Sequence, residues 1–355
     1  MKVSIIIPTY NEKENIPKLF ERIFKVFNEN KIDGEIIVVD DNSPDGTADV
    51  ANKYSKNFPV KVITRKEEKG LASACVEGFK HAKGDIFIVM DADLQHPPEK
   101  IPELIFAIKK GADIAIASRY VGNFGLNLSL GRKLISKLAS KLAETFFWEI
   151  KEIKDKESGF FAFKKEVIKD IELKPKGYKI LLEILILGNY NKVKEIGYKF
   201  GKRYAGKSKM SFNVVFSYLI HLMSLLWRSG KLMKFLKFCI VGVIGVAINL
   251  AILYFLTNFG LYYMISGAVA IEASLLSNFF LNRIWTFSRE AKHIGIGSAI
   301  VKDHITRLMG ILINLICLFA FTELFHFYYI ISMLIGIVAS TLWNFIGNVR
   351  WVWKT

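Results

Sequence analysis

The sequence predicts an α/β protein in two parts, a doubly wound parallel sheet over residues 1–210 and four membrane-length helices over 231–355. Three observations predict it. Short apolar runs alternate with amphipathic helical stretches through the first half, as a parallel sheet with crossover helices requires. Polar residues gather where those runs end, and the carboxyl ends of strands form the ligand crevice of an open α/β sheet. Beyond about Phe235 charge thins out and the apolar runs approach bilayer length.

Taken in order, Val3-Ser4-Ile5-Ile6-Ile7-Pro8 is a strand closed by proline, followed by Thr9-Tyr10-Asn11-Glu12. A helix comes next, with Ile16, Leu19, Phe20, Ile23 and Phe27 at helical spacing on one face. Residues 35–40 are a second strand, running into Asp41-Asn42-Ser43-Pro44-Asp45-Gly46-Thr47, dense in turn and cap residues. Residues 60–64 are a third strand, and a helix follows Gly70-Leu71-Ala72 to about Lys83. Residues 85–90 form the central strand, and 113–118 a fifth after another helix.

The central strand ends in Asp91-Ala92-Asp93-Leu94-Gln95. Two carboxylates one residue apart repel unless a cation neutralises them, and they offer the hard oxygen ligands that suit magnesium or manganese. A cation held by so few carboxylates completes its shell with substrate phosphates. With Pro8, Tyr10, Asn11, Glu12, Asp40, Asp41, Asn42 and Arg119 at the other strand ends, the edge reads as a nucleotide crevice. No Gly-x-Gly-x-x-Gly follows the first strand, which disfavours a plain dinucleotide site.

The formal net charge is +16 and the mean hydropathy +0.28. Lysine and arginine cluster beside apolar segments, which favours a membrane surface and phosphate substrates. No zinc-finger spacing or RNA-recognition signature supports nucleic acid as a partner. Cys75, Cys239 and Cys317 are too few and too scattered for a disulfide framework or metal cluster. Residues 3–7 are too short for a cleavable leader, so the first long apolar segment is expected to act as the targeting signal.

Five ordered blocks carry a resemblance across roughly residues 1–210: Ile7–Glu12, Val38–Thr47, Met90–Pro98, Ser118-Arg119-Tyr120 and Asp155–Phe160. In them the chain resembles the family 2 glycosyltransferases of the GT-A fold, a Rossmann-like nucleotide-sugar transferase fold, and most of all the dolichol-phosphate mannose synthases. The resemblance implies that Pro8–Glu12 and Asp40 hold the donor nucleoside. It implies too that Asp91 meets ribose or metal, and that Asp93 and Gln95 bind the metal on the diphosphate. Gln95 is the sole glutamine, so the Gln-x-x-Arg-Trp motif of processive synthases is absent and one sugar per cycle is expected.

On the acceptor side, residues 127–147 read as a basic amphipathic helix, with Leu134, Leu138 and Leu142 beside the Lys133, Lys137 and Lys141 stripe. Residues 211–227 read as a second helix lying in the membrane interface within a 211–230 linker, and Lys202–Met210 resembles the family's flexible acceptor loop. Arg119, Arg132, Ser136, Lys179 and Arg203 are the candidate binders of an acceptor phosphate. A polyprenyl phosphate is already anionic, so the expected catalytic set is Asp91, Asp93 and Arg119 with no obligatory base. The family implies inversion. GDP-mannose is the expected donor and dolichyl phosphate the acceptor; no residue by itself separates guanine from uracil, which keeps a UDP-glucose-using synthase open. A flippase or scaffold with a nucleotide-sensing domain is the alternative of another class.

Spans are expected at about 235–256, 263–284, 306–326 and 328–349. Lysine and arginine before the first, between the second and third, and after the last place both termini and the catalytic part in the cytoplasm. Ile248-Asn249-Leu250 recurs as Ile313-Asn314-Leu315, and Asn278-Phe279 with Asn282 recurs as Asn344-Phe345 with Asn348. These spans are therefore two parallel hairpins, and residues 234–355 resemble the GtrA-like membrane domains. Glu272 stands inside the second span, either as a functional acid or as a hydrogen-bonding partner for a neighbouring helix.

Overall fold

The computed structural model describes residues 1–122, 143–144, 146–175, 179–199, 201 and 212–354. Two compact units emerge, Met1–Ser229 and Gly230–Thr355.

In the first unit the strands are β1 Val3–Thr9, β2 Gly34–Asp40, β3 Val60–Thr64, β4 Ile86–Val89, β5 Ile114–Ser118, β6 Phe161–Lys164 and β7 Val193–Gly197. They form one sheet in the order β3-β2-β1-β4-β6-β5-β7. The first four strands in sequence and β5 lie where the apolar runs predicted them. Every residue of β1, β4 and β5 is buried, as covered faces on both sides require. Helix α1, Ile16–Asn30, buries the predicted face of Ile16, Leu19, Phe20, Ile23 and Phe27 against Ile5, Ile7, Ile36 and Val38. Helices α2 Thr47–Tyr54, α3 Leu71–His81 and α4 Ile101–Lys109 complete the crossovers.

One expectation is corrected: the sheet is mixed, not wholly parallel. β6 runs antiparallel to both β4 and β5. The reason lies in the connection. β5 ends at the carboxyl edge, and the chain re-enters the sheet from that same edge through Asp155–Phe160. A strand that starts there must run backwards. The entry segment is thereby set between the ends of β4 and β5, inside the crevice. Helix α5, Ile180–Leu187, and helix α6, Phe212–Arg228, finish the unit.

The second unit holds four helices long and apolar enough to cross a membrane, over Lys231–Asn258, Tyr263–Thr286, Ile296–Leu324 and Tyr329–Val352. Their α-helical parts are α7 Lys231–Asn258, α8 Tyr263–Leu281, α9 Ile296–Phe319 and α10 Tyr329–Gly347. α7 packs along α8, and α9 along α10, giving two hairpins. α9 begins ten residues before the expected 306, because its first turns carry Lys302, Asp303 and His304 and so do not read as apolar. The duplication is physical as well as verbal. A Cβ on Gly245 would stand 2.3 Å from Asn278, and one on Gly310 would stand 2.5 Å from Asn344. In both hairpins an asparagine carboxamide thus rests on bare glycine backbone, the close approach that small residues permit in membranes. Each hairpin then ends in a π-helical turn opened by the equivalent asparagine, Asn282–Thr286 and Asn348–Val352.

Candidate active site

The strand register builds the nucleotide side of the crevice. β1 and β2 pair so that Thr9 lies opposite Asp40. The Thr9 hydroxyl donates to Asp40 Oδ1 at 2.9 Å, while the Ser43 amide and hydroxyl donate to the same carboxylate at 2.8 and 2.6 Å. Ser43 Oγ in turn accepts the Asn11 amide at 2.9 Å, and Thr47 Oγ1 accepts the Glu12 amide at 2.9 Å. Asp40, fully buried, therefore sits at the centre of a network that laces the loop after β1 to the loop after β2. Asn11 and Asn42 bend with φ of 60° and 53°, a conformation that asparagine tolerates better than most residues. The bends leave both side chains exposed, with Tyr10 beside them under the Lys69 ammonium.

Asp41 is held differently. Arg65 Nε donates to its Oδ1 at 2.8 Å, Arg65 Nη2 also pairs with it, and the Gly70 amide donates to Oδ2 at 2.7 Å. This buried ion pair pins the loop that opens α3. Charge burial of this kind survives only where donors surround the carboxylate.

At the end of β4 the two acids of the Asp-x-Asp pair have distinct surroundings. The Asp91 side chain is 33% exposed, whereas Asp93 is buried. Asp93 Oδ1 accepts the Gln95 amide at 3.1 Å across Leu94, whose φ of 64° is unusual for a branched side chain. Such backbone strain concentrates at functional sites. Gln95 is fixed by a reciprocal pair: its Nε2 donates to the Gly201 carbonyl and the Gly201 amide donates to its carbonyl, both at 3.1 Å. The residue that opens the basic 202–210 stretch is thus docked on Gln95.

His96 supports the turn from behind. The Asp91 amide donates to its Nδ1 at 3.0 Å, which places the ring proton on Nε2. The ring stacks on Phe160 at 5.3 Å, and burial pushes its pKa down to about 4, so it is neutral. A Cβ on Gly159 would lie 3.1 Å from both Asp91 Oδ2 and His96 Cε1, so this glycine gives the carboxylate its room.

Arg119, just beyond β5, faces the same edge. Its amide and Nε donate to Asp155 Oδ2 at 2.9 and 2.8 Å, and Nη2 donates to Oδ1 at 2.7 Å. Burial opposes the charge, but Asp155 raises the guanidinium pKa above its ordinary value. Asp155 is itself buried, and its backbone amide donates to Glu195 Oε1 at 2.9 Å. Lys179 pairs with Glu157 at 2.9 Å. The phenol of Tyr218 on α6 is pushed up by burial and by the charge of Glu157, so this helix lies close to the Lys179 pair. Arg132, Ser136 and Arg203 lie outside the described residues, as do most of the 127–147 stretch and all of 202–210.

Asp91, Asp93 and Gln95 thus come together on one turn, with Arg119 and Lys179 on the segments that flank β6. Among the described residues no group of three or more His, Cys, Asp and Glu side chains is arranged around a cation. Two carboxylates and an amide fit part of a divalent-cation shell chemically, since all three donors are hard oxygens and phosphates can complete it. Sequence reasoning left His96 without a role and missed the clamp on α5. There Glu183 is fully buried and accepts from the Lys174 amide at 2.8 Å and from Arg228 Nη1 at 2.5 Å, binding α6 to the sheet domain. The signal was present: one acid in the otherwise apolar run Ile180–Leu187 must have a buried partner.

Comparison with known proteins gives the same picture from outside. Residues 4–172 match the model of "Glycosyl transferase family 2", and residues 237–353 match "GtrA/DPMS, transmembrane domain". The chain is 47% identical to a dolichol-phosphate mannosyltransferase of Pyrococcus furiosus over the full length of both. It is 31% identical to the Saccharomyces cerevisiae protein of that name, over 75% of this chain and 99% of that one. Among solved structures, mannosyl-3-phosphoglycerate synthase from Rubrobacter xylanophilus superposes with a TM-score of 0.52 at 19% identity, covering 65% of this chain and 76% of that one. Glucosyl-3-phosphoglycerate synthase from Mycobacterium tuberculosis, in complex with Mn2+, UDP-glucose and phosphoglyceric acid, superposes at 0.51 with 20% identity, covering 64% and 80%. At these identities the two structures establish the sheet fold alone.

Proposed function

We propose the following reaction for this chain, which belongs to the dolichol-phosphate mannosyltransferases and is a polyprenol-phosphate mannosyltransferase: mannose passes from GDP-mannose to the phosphate of dolichyl phosphate with inversion, giving the β-linked lipid and GDP. The observation that carries it is the Asp91–Gln95 turn, where two acids and an amide meet at the sheet edge beside the Asp155-anchored Arg119.

The residues divide the work. The laced loops around Tyr10, Asn11, Glu12, Asp40, Asp41 and Asn42 form the nucleoside pocket, with Asp40 and Asp41 acting through the loops they fix. Asp91, Asp93 and Gln95 would hold a divalent ion, magnesium or manganese. When bound, it supplies positive charge to the leaving diphosphate. Arg119, oriented by Asp155, presents a fixed guanidinium edge to the acceptor phosphate, and Lys179 adds a second cation on the same side. Arg132, Ser136 and Arg203 complete that acceptor set. Because the phosphate oxygen needs no deprotonation, the chain's task is alignment with the anomeric carbon and shielding of phosphate–diphosphate repulsion. The basic segments put the catalytic unit and both termini on the cytoplasmic side, where a sugar nucleotide is available.

The test is sugar transfer to dolichyl phosphate from GDP-mannose and from UDP-glucose, before and after chelation, with NMR of the product linkage. Mannose transfer that stops on chelation, returns with manganese and gives a β-linkage is expected. Glucose transfer would overturn the donor, an α-linkage the inversion, and activity unaffected by chelation the metal.

A further inference from the structure

Each of the two hairpins is closely packed within itself, and they meet each other over a narrow front. A polar contact crosses it. Glu272, midway along α8, has Oε1 3.2 Å from Nε2 of His304 on α9. The other ring nitrogen, His304 Nδ1, lies 3.0 Å from the Ile300 carbonyl oxygen. A carbonyl can only accept, so Nδ1 carries a hydrogen. In a neutral imidazole Nε2 is then a lone-pair acceptor, and it faces a carboxylate oxygen, another acceptor. The two ring contacts close together only with one further proton, on Nε2 or on the carboxyl.

We propose that Glu272 and His304 form a proton-binding site inside the membrane unit, with one shared proton tying the first hairpin to the second. The imidazolium–carboxylate and imidazole–carboxylic acid forms hold the same proton, so the site is defined by proton count. When the proton leaves, one ring hydrogen is left for two acceptors, so one of the two contacts opens and the tie is weakened. Several other charged groups of the surrounding helices are engaged elsewhere. Asp303 is taken by Arg307 Nε at 2.7 Å and Asn348 Nδ2 at 2.9 Å, and Lys234 pairs with Glu290. Lys237 stands over the Trp285 ring, and Arg283 donates to the Ile294 carbonyl. Lys302 is the remaining cation of α9, and Tyr263 and Tyr329 are the remaining titratable side chains of α8 and α10. An ionisable pair at membrane depth that joins two structural repeats is placed to make their packing respond to protons.

The experiment uses the full chain in lipid nanodiscs, following thermal unfolding by tryptophan fluorescence from about pH 6 to about pH 9. In Glu272→Gln the amide nitrogen donates to Nε2 at every pH, so no shared proton is needed. The wild type is expected to lose about 3 °C more than this variant across the range. His304→Gln offers an amide hydrogen to Glu272 from the other side and is expected to flatten the profile equally, which keeps the test open should the first variant fold poorly. Parallel profiles for wild type and either folded variant would overturn the proposal.

Discussion

Both units bury polar side chains, but of different kinds. At the sheet edge the buried groups include carboxylates surrounded by donors: Asp40 by Thr9 and Ser43, Asp41 by Arg65 and Gly70, Asp155 by Arg119. In the membrane unit the buried groups are mostly neutral hydroxyls and carboxamides, with buried Asn278 lying on Gly245 and half-buried Asn344 on Gly310. Its one fully buried acid, Asp303, is held between Arg307 and Asn348. The difference follows from what surrounds each unit. A charge near an aqueous crevice loses only part of its hydration, and it can hold a loop or meet a phosphate. In lipid a neutral amide gives nearly the same fixing power at far less desolvation cost. The sheet edge is therefore built once around chemistry, while the membrane unit is built twice around packing.

The sharpest way to break that contrast is to neutralise an acid of each class on the sheet edge. Asp93→Asn removes a charge proposed to act on the diphosphate, and transfer is expected to fall by about 10²–10³-fold, in line with loss of one electrostatic stabiliser. The Asp93 variant should unfold like the wild type. Near-normal transfer by a folded Asp93→Asn protein would move catalysis away from this turn. Asp155→Asn acts through stability as well, because it strands the Arg119 guanidinium in a largely buried position. A loss of roughly 3 kcal/mol is expected in urea unfolding of the full chain. If that variant kept both its stability and its transfer rate, Arg119 would not be oriented by this pair.

These two acids also mark the limit of what the sequence reveals. Asp91 and Asp93 were legible because an apolar run and Pro97-Pro98 fix where β4 stops, and that edge is where such sheets bind ligands. The Asp155–Arg119 pair spans 36 residues and depends on β6 running backwards, which no local periodicity encodes. The lacing of Asn11 to Ser43 is hidden likewise, since it follows from the register of β1 on β2. In the membrane unit, repetition substituted for periodicity: the recurring asparagines marked equivalent positions, although the glycines beneath them lie on other helices. The early start of α9 escaped notice because the residues that lengthen it are the polar ones that join it to its neighbours.

The contrast is sharpened by asking whether both hairpins rely on the same close approach. Gly245→Ala and Gly310→Ala each place a methyl group inside an asparagine side chain's space. Overpacking of this kind costs about 1–3 kcal/mol. Both substitutions should lower the unfolding temperature of the nanodisc-embedded chain by similar amounts, and the double variant should show the sum, since the sites lie in different hairpins. A large effect at one glycine alone would mean that the duplication survives in sequence but not in energetics.

The smallest effect concerns an acid on the sheet's far side. Asp113 lies more open than Asp155, yet its carboxyl also accepts from Lys164 Nζ at 2.8 Å and from the Asn191 and Lys192 amides. Burial works to raise its pKa, but these donors outweigh it and hold the group below the usual carboxylate value of 3.8. A depressed folded-state pKa stabilises the fold above the ordinary value and loses that contribution as pH falls through the depressed one. Asp113→Asn should therefore cost about 0.5 kcal/mol near neutral pH, with the difference from wild type closing below about pH 3. Unfolding curves at the two pH values read it directly. A difference that persists in acid would mean that the geometry of these hydrogen bonds, rather than the charge of Asp113, holds β5 to the start of β7.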